Sequence, residues 1–428
     1  MKILIISRTP WDNANSFGNT FSNLFSNMQG VEIYNICCQA GQVNNQVVCK
    51  AFQMTDKAVL KSIYKPRTQT GWAISSTQEN AVTKALESRI KVKRKLSLHL
   101  ILRDWIWKLG HWKKNKAFNL FLEQIKPDVI YLPIYSARYM CDVQNYIIDK
   151  LKVPVIGHIT DDVYSYRKSE FLGMRWYRFL LRKKLKKLIG RCEYLEVFAE
   201  NMKTEYEEIF KKPCYLIGKG VDDFSLNNWQ NSFEYKDKYK FVYTGNISKD
   251  RFETLLLLGK MLETKQGVLE IYSATNLTPK QKTAMSKIST IIFKGKIGKE
   301  ELKKVQKQAD FLVHVEGFSK RAIEDTKMSF STKIIDYMQT GKPILAIGDD
   351  KINSIAVLKS NKIAVVIAQK EELGETVFKL LNNNLDINSM QLRVFEYLQE
   401  KRNIKKIQLD MLGRLKGLLK DKNESITN

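Results

Sequence analysis

The sequence predicts an α/β protein made of two successive doubly wound domains. Three observations carry this. The chain opens on a buried strand, a polar loop and an amphipathic helix. The same plan restarts near Lys240. And 428 residues are too many for one ordinary core.

The first half reads in order as follows. Lys2 to Ile6 is an apolar strand. Ser7 to Gly18 is polar and contains Trp11, Asp12 and Asn15. A helix from about Asn19 carries Phe21, Leu24, Phe25 and Met28 at helical spacing. In doubly wound sheets ligands sit at the carboxyl ends of the strands, so Trp11 to Gly18 is either a cleft loop or a plain surface loop. Glu32 to Cys38 is a second strand. Lys50 to Lys116 loses periodicity and holds sixteen Lys and Arg against four Asp and Glu. Within it Ser97 to Trp112 is an amphipathic helix with Trp beside Lys and Arg. That suits a membrane interface, or a core helix with a snorkelling rim.

Asp128 to Leu132 and Pro154 to His158 are further strands around a helix. The second ends in His158-Ile159-Thr160-Asp161-Asp162. A histidine beside two carboxylates at a strand end is a candidate catalytic or acceptor-binding corner, although surface acid pairs are also common. Met174 to Arg191 has eight basic residues and no acid, with Tyr177, Leu181, Leu185 and Leu188 at helical spacing. Arg175, Trp176, Arg178, Arg182, Lys183 and Lys186 are its expected membrane contacts, since basic amphipathic helices bind anionic lipid. A domain helix with a solvated basic face is the alternative, and both can hold together. Strands at Tyr194 to Phe198 and Cys214 to Ile217 follow, then an aperiodic polar stretch to Tyr239.

The second half repeats the strand–turn–helix opening at Lys240 to Tyr243 and Gly245. A glycine there lets backbone approach a ligand, and Lys249 or Arg251 can meet phosphate. Strands follow at Leu269 to Tyr272, Thr290 to Phe293, Phe311 to Val315 and Ala364 to Ile367, and helices from about Glu372. Ser329 to Ile347 is the most organised stretch. Ser329 and Ser331 are good N-cap residues. Ile334, Ile335 and Met338 form one face, with Thr332, Lys333 and Asp336 on the other. Gly341 sits where a helix terminates, Pro343 prevents continuation, and Ile344 to Ile347 is a buried strand. Ser331, Thr332 and Lys333 thus form an anion-friendly helix start, or the polar edge of an ordinary αβ unit.

Composition limits the function. A net charge of +26 asks for an acidic partner: nucleic acid, anionic lipid or a phosphorylated substrate. Six scattered cysteines and four scattered histidines show neither a disulfide frame nor a metal cluster, and no metal is expected. MKILIIS reads as a strand rather than an export signal, and no run is long enough to span a membrane.

Three segments add a family resemblance. Ile217 to Asp222 (IGKGVD) is similar to the "P-N-G-V-D" segment near the domain junction of GT4-type glycosyltransferases. Tyr243 to Asn246 (YTGN) resembles the glycine turn that opens their donor domain. Ser331 to Ile344 (STKIIDYMQTGKPI) resembles their "P-[ST]-K-x-x-E-Y-[ML]-A-x-G-K-P-[IV]" motif. The resemblance implies a GT-B fold: two Rossmann-like domains facing an interdomain cleft. It implies residues 1–218 as an acceptor-binding domain with a basic helical insertion near 50–116, 219–239 as a linker, 240–385 as a nucleotide-sugar donor domain, and 386–428 as C-terminal helices that can cross back to the first domain.

It further implies transfer of a sugar from a UDP- or GDP-linked donor, with retention, without metal and without a cofactor. The acceptor implied is a cell-surface glycan or a polyprenyl-diphosphate-linked oligosaccharide, reached from the cytoplasm at the anionic inner membrane face. Donor-binding positions are Gly245, Asn246, Lys249, Arg251, Ser331, Thr332, Lys333 and Asp336. Asp336 stands where the family has a ribose-binding Glu, and Asn246 where it often has Arg. Met328 stands eight residues before Asp336, where the family's upstream acid is expected, so Glu316 is its substitute. Catalytic candidates are therefore Glu316, His158, Asp161 and Asp162, with Trp11, Asp12, Asn15 and Gly18 on the acceptor side. Two other readings stay open: a basic nucleic-acid-binding or scaffold protein on the same fold, although no nucleic-acid-binding motif is visible, and a sugar-nucleotide epimerase.

Overall fold

The computed structural model describes residues 1–74, 98–168, 170–222, 233–248, 250–263 and 267–427. The chain divides into two compact units, Met1–Gly218 with Lys406–Asn428, and Lys219–Lys405.

The first unit is built on an eight-stranded sheet. Its strands are β1 (Lys2–Ser7), β2 (Glu32–Cys37), β3 (Val48–Met54), β4 (Gly71–Ile74), β5 (Val129–Pro133), β6 (Val155–Ile159), β7 (Tyr194–Val197) and β8 (Cys214–Leu216). Their order is β4-β3-β2-β1-β5-β6-β7-β8. All pairs are parallel except β3 with β4. Strands β5, β6 and β7 are buried at every position, as expected for parallel strands covered on both faces.

The helices are α1 (Ser16–Phe25), α2 (Asp56–Tyr64), α3 (Leu98–Leu109), α4 (Lys116–Ile125), α5 (Arg138–Leu151), α6 (Leu172–Gly190) and α7 (Glu200–Phe210). Several are capped by the residue types that accept backbone N–H groups: Asn15 on α1, Thr55 on α2 and Asn115 on α4. The stretch 50–116 is therefore not simply a helical insertion. Residues 48–54 and 71–74 extend the sheet as β3 and β4, around α2. Five of the six cysteines are buried, Cys49 is exposed, and all are free.

The second unit has a six-stranded, all-parallel sheet of β9 (Lys240–Thr244), β10 (Val268–Tyr272), β11 (Ile291–Gly295), β12 (Phe311–Val315), β13 (Ile344–Ile347) and β14 (Val365–Ile367), in the order β11-β10-β9-β12-β13-β14. Period-two alternation splits its core into two layers. Phe241, Tyr243, Phe311, Val313, Leu345 and Ile347 point into one. Val242, Leu312, Ile344 and Ala346 point into the other. Its helices are α8 (Arg251–Glu263), α9 (Pro279–Ser286), α10 (Lys299–Lys307), α11 (Lys320–Thr326), α12 (Thr332–Met338), α13 (Asn353–Ser360), α14 (Leu373–Leu381) and α15 (Ile387–Lys401). Gly341, at φ +72°, ends the α12 segment in the left-handed region that favours glycine. The last helix, α16 (Ile404–Thr427), starts in the second unit, and from Lys406 it belongs to the first.

Candidate donor site and the strand ends of the first unit

Parallel order sets the second unit's site. Strand β12 is hydrogen-bonded to both β9 and β13, so their carboxyl ends adjoin. Strand β9 ends at Thr244 and turns through Gly245 and Asn246, while Glu316 follows β12 directly. Arg251, the first residue of α8, reaches Glu316: its Nη2 and Nε donate to Oε2 at 2.7 and 3.1 Å. His314 Nε2 lies 3.6 Å from the other oxygen of Glu316 and 3.3 Å from Ser354 Oγ. Burial pushes the His314 pKa down to about 4, so the ring is neutral.

Lys333 projects from α12 over Gly245. A Cβ on that glycine would lie 2.7 Å from Lys333 Nζ, so a glycine there leaves room for the ammonium. The crowding of the ammonium and the like charge of Arg251 hold the Lys333 pKa below its ordinary value, against the pull of Glu316 and Asp336. Lys333 is exposed, so a ligand can reach it. Arg251 thus takes the Glu316 carboxylate, and Lys333 has no ion-pair partner among the described residues. The result is a surplus of positive charge at the ends of parallel strands, where an anion binds most readily.

Helix α12 is held in place by Tyr337. Its hydroxyl accepts from Thr244 N at 3.1 Å and lies 2.8 Å from Thr244 Oγ1, which also accepts from Gln306 Nε2 at 3.1 Å. Nothing local in the sequence announces that the Tyr337 hydroxyl reaches 93 positions back. Ser331 stands at the N-cap of α12 without a side-chain capping hydrogen bond, and Thr332 follows, partly exposed. Asp336 forms an ion pair with Lys219, a residue to which the motif assigns no role. Asn246 Oδ1 accepts from Ser248 N at 2.7 Å. Lys249 lies outside the described residues.

The strand ends of the first unit are less open than their sequence suggests. Trp11 is fully buried, not a ligand contact. It packs edge-on against Phe17, Phe21 and Phe25, and its Nε1 donates to Ser22 Oγ at 2.8 Å. Asn15 accepts from Gly18 N and so caps α1, and Asp12 accepts from Ala14 N at 2.9 Å. Gly18 is pressed against the backbone of Asp12.

His158 is a core residue rather than part of an accessible corner. It lies beside Phe21, Tyr131 and Phe198. Tyr131 has one hydroxyl proton and donates it to the Glu196 carboxylate, which can only accept. The 2.7 Å contact to His158 Nδ1 therefore runs from Nδ1–H to the tyrosine oxygen, leaving Nε2 bare. Burial drives the His158 pKa down to about 3. Asp162 is also buried. Burial alone would raise its pKa, but donation from Ser165 N, Tyr164 N and the Tyr206 hydroxyl outweighs it and holds the pKa down. Asp161 is exposed.

Helix α6 is divided. Arg175, Trp176, Lys183 and Lys186 are exposed. Arg178 is buried and donates to Glu170 at 2.8 Å, so it offers nothing to a surface. Arg182 is stacked on Tyr164 and Tyr166, at 3.8 and 4.0 Å from the ring centroids.

No family model and no curated protein matches the sequence. Solved structures match over nearly its whole length. Sucrose-phosphate synthase (tll1590) from Thermosynechococcus elongatus has a TM-score of 0.64 at 12% identity, covering 98% of this chain and 100% of that one. HepE (Alr3699) from Anabaena, in complex with UDP, has a TM-score of 0.61 at 9% identity, covering 97% and 100%. TarM has a TM-score of 0.61 at 10% identity, covering 97% and 98%. Identity this low carries the fold and nothing finer.

Proposed function

For a chain with the GT-B fold, we propose that it is a glycosyltransferase taking its sugar from a nucleotide-diphosphate donor, UDP- or GDP-linked, held by the second unit. The observation that carries this is the Arg251–Glu316–Lys333 cluster around Gly245. The donor diphosphate takes the surplus positive charge of Lys333 and Arg251, with Ser331 and Thr332 at the adjoining helix start. Asp336 keeps one oxygen for Lys219 and offers the other to a ribose hydroxyl. Glu316 is a positioning residue that aims Arg251.

Departure of the nucleoside diphosphate is the demanding step. Fixed cations stabilise its growing charge without reorganising. The charge they supply lets the reaction run without metal, and we assign it retention of configuration. The acceptor is a glycan or a polyprenyl-diphosphate-linked oligosaccharide, selected by the first unit and met at the anionic inner face of the cell membrane. On that side Asp161 is exposed and Asp12 is partly exposed.

Calorimetry with UDP, GDP and their sugars tests the donor assignment. Lys333→Ala and Arg251→Met each remove a charged hydrogen bond of about 1.5–3 kcal/mol, so affinity should fall about 10- to 150-fold. Failure of every nucleotide to bind overturns the reading, as do variants that bind like the parent.

A further inference from the structure

Helix α3 presents a stripe of large apolar residues to water. Leu98, Leu102, Trp105 and Leu109 recur at helical spacing and each is more than half exposed. The helix cannot roll to hide them. Its opposite face is fixed by buried Ile106 and Trp107, by Trp107 Nε1 donating to Asp56 at 2.7 Å, and by Arg103 paired with Asp56 at 3.1 Å. Helix α6 does the same at its start, where Leu172 and Trp176 are 78% and 59% exposed and Phe179 follows.

Helix α5 holds both. Its Arg138 pairs with Asp104 of α3, and its Asp142 and Asp149 pair with Lys184 and Arg191 at the α6 end. Those pairs, with Glu170 on Arg178, consume some of the basic charge next to α6. Arg175, Lys183, Lys186 and Lys187 remain exposed, with no acidic partner among the described residues. On α3, Lys108 lies 5.3 Å over Trp105.

We infer that α3 and α6 together are a docking surface for an anionic lipid bilayer, in which α3 supplies the apolar wedge and α6 the charge. This deepens the membrane association proposed above by naming the surface, but it requires no nucleotide-sugar. Leucines and tryptophans beside free lysines match the two layers of a bilayer edge, acyl chains below and phosphates above. A second copy of the chain would bring the same unpaired cations against themselves. Among the described residues no helix is long and apolar enough to cross a membrane, so the contact is peripheral.

The test is co-sedimentation of the full chain with phosphatidylcholine vesicles, with and without phosphatidylglycerol, at low and high salt. The protein should bind the anionic vesicles and release from them in high salt. Lys183→Ala, Lys186→Ala and Lys187→Ala together should weaken binding about 100-fold, near fivefold for each cation. Leu102→Ala with Trp105→Ala should weaken it at least about tenfold. Equal binding to neutral vesicles overturns the inference, as does no binding. So does a change in oligomeric state, seen by light scattering, in the α3 variant. Nucleotide affinity of these variants, measured without vesicles, separates this test from the donor assignment.

Discussion

Replacing Arg414 with Met should unfold the first unit early. Arg414 lies on α16 and donates from Nη2 to Glu196 Oε1 at 2.8 Å. The Glu196 side chain is completely inaccessible, whereas that of Arg414 keeps a fifth of its surface. Methionine preserves much of the aliphatic stem but leaves the carboxylate with Tyr131 as its remaining partner. Stripping one partner from a buried pair costs about 3–5 kcal/mol, because the other charge stays behind. The stacking of Arg414 over Tyr215, at 4.7 Å, is lost as well and adds about 0.5–1 kcal/mol. A unit of about 150–250 residues shifts about 2–4 °C per kcal/mol, so the combined loss of about 3.5–6 kcal/mol should lower its transition by about 7–24 °C.

Calorimetry reads this directly, and only the first unit's transition should move. Glu196→Gln in the Arg414→Met background removes the stranded charge and should recover about 2 kcal/mol of the loss. A shift below about 2 °C, or no recovery in the double variant, would refute the argument that the sealed-in Glu196 depends on Arg414.

Two further outcomes concern the first unit's packing and the acid limb of both units. Gly18→Ala puts a Cβ 2.1 Å from Asp12 O, a backbone atom that cannot rotate away, and should cost at least about 1–3 kcal/mol in urea unfolding. Gly190→Ala, with nothing within 4 Å, should be neutral or stabilising by about 0.5–1 kcal/mol, and equal effects would discredit the contact. His158 and His314 have folded pKa values near 3 and 4, below the ordinary 6.5. The unfolded chain therefore takes these protons first as pH falls. Stability should be intact above about pH 6.5 and decline below it by up to about 1.4 kcal/mol per pH unit for each ring. Urea midpoints from pH 7 to 4.5 measure this, and His158→Gln should flatten the first unit's curve. A pH-independent midpoint in the parent chain would contradict both buried neutral rings.

Most of the strands were legible because a parallel strand buried on both faces must be a continuous apolar run: ILII in β1, VIYL in β5, ILAI in β13. The two that escaped, β3 (VCKAFQM) and β4 (GWAI), lie at the sheet margin, where mixed polarity is allowed. At the site, the motif around Lys333 announced a local shape. It could not announce that Arg251 would find Glu316 65 residues later, or that Tyr337 would anchor α12 to β9. His158 looked available because the end of β6 is all that sequence displays. Phe21, from the first helix, and Phe198, after β7, close over it only in three dimensions. The eight basic residues of Met174 to Arg191 likewise appeared equivalent, yet Lys184 and Arg191 are each neutralised by an aspartate 42 positions earlier.

Because the first unit takes a helix from residues that follow the whole second unit, its completion is tied to the order of synthesis. Glu196 leaves the ribosome 218 residues before Arg414, and at about 5–20 residues per second its counterion arrives roughly 10–45 seconds later. During that interval the nascent unit must keep the carboxylate wet. Gln408, which donates to the carbonyls of Leu24 and Ser26 at the C-terminal end of α1, arrives equally late. The unit made first is thus the unit closed last, and the second unit can fold in full while the first still waits.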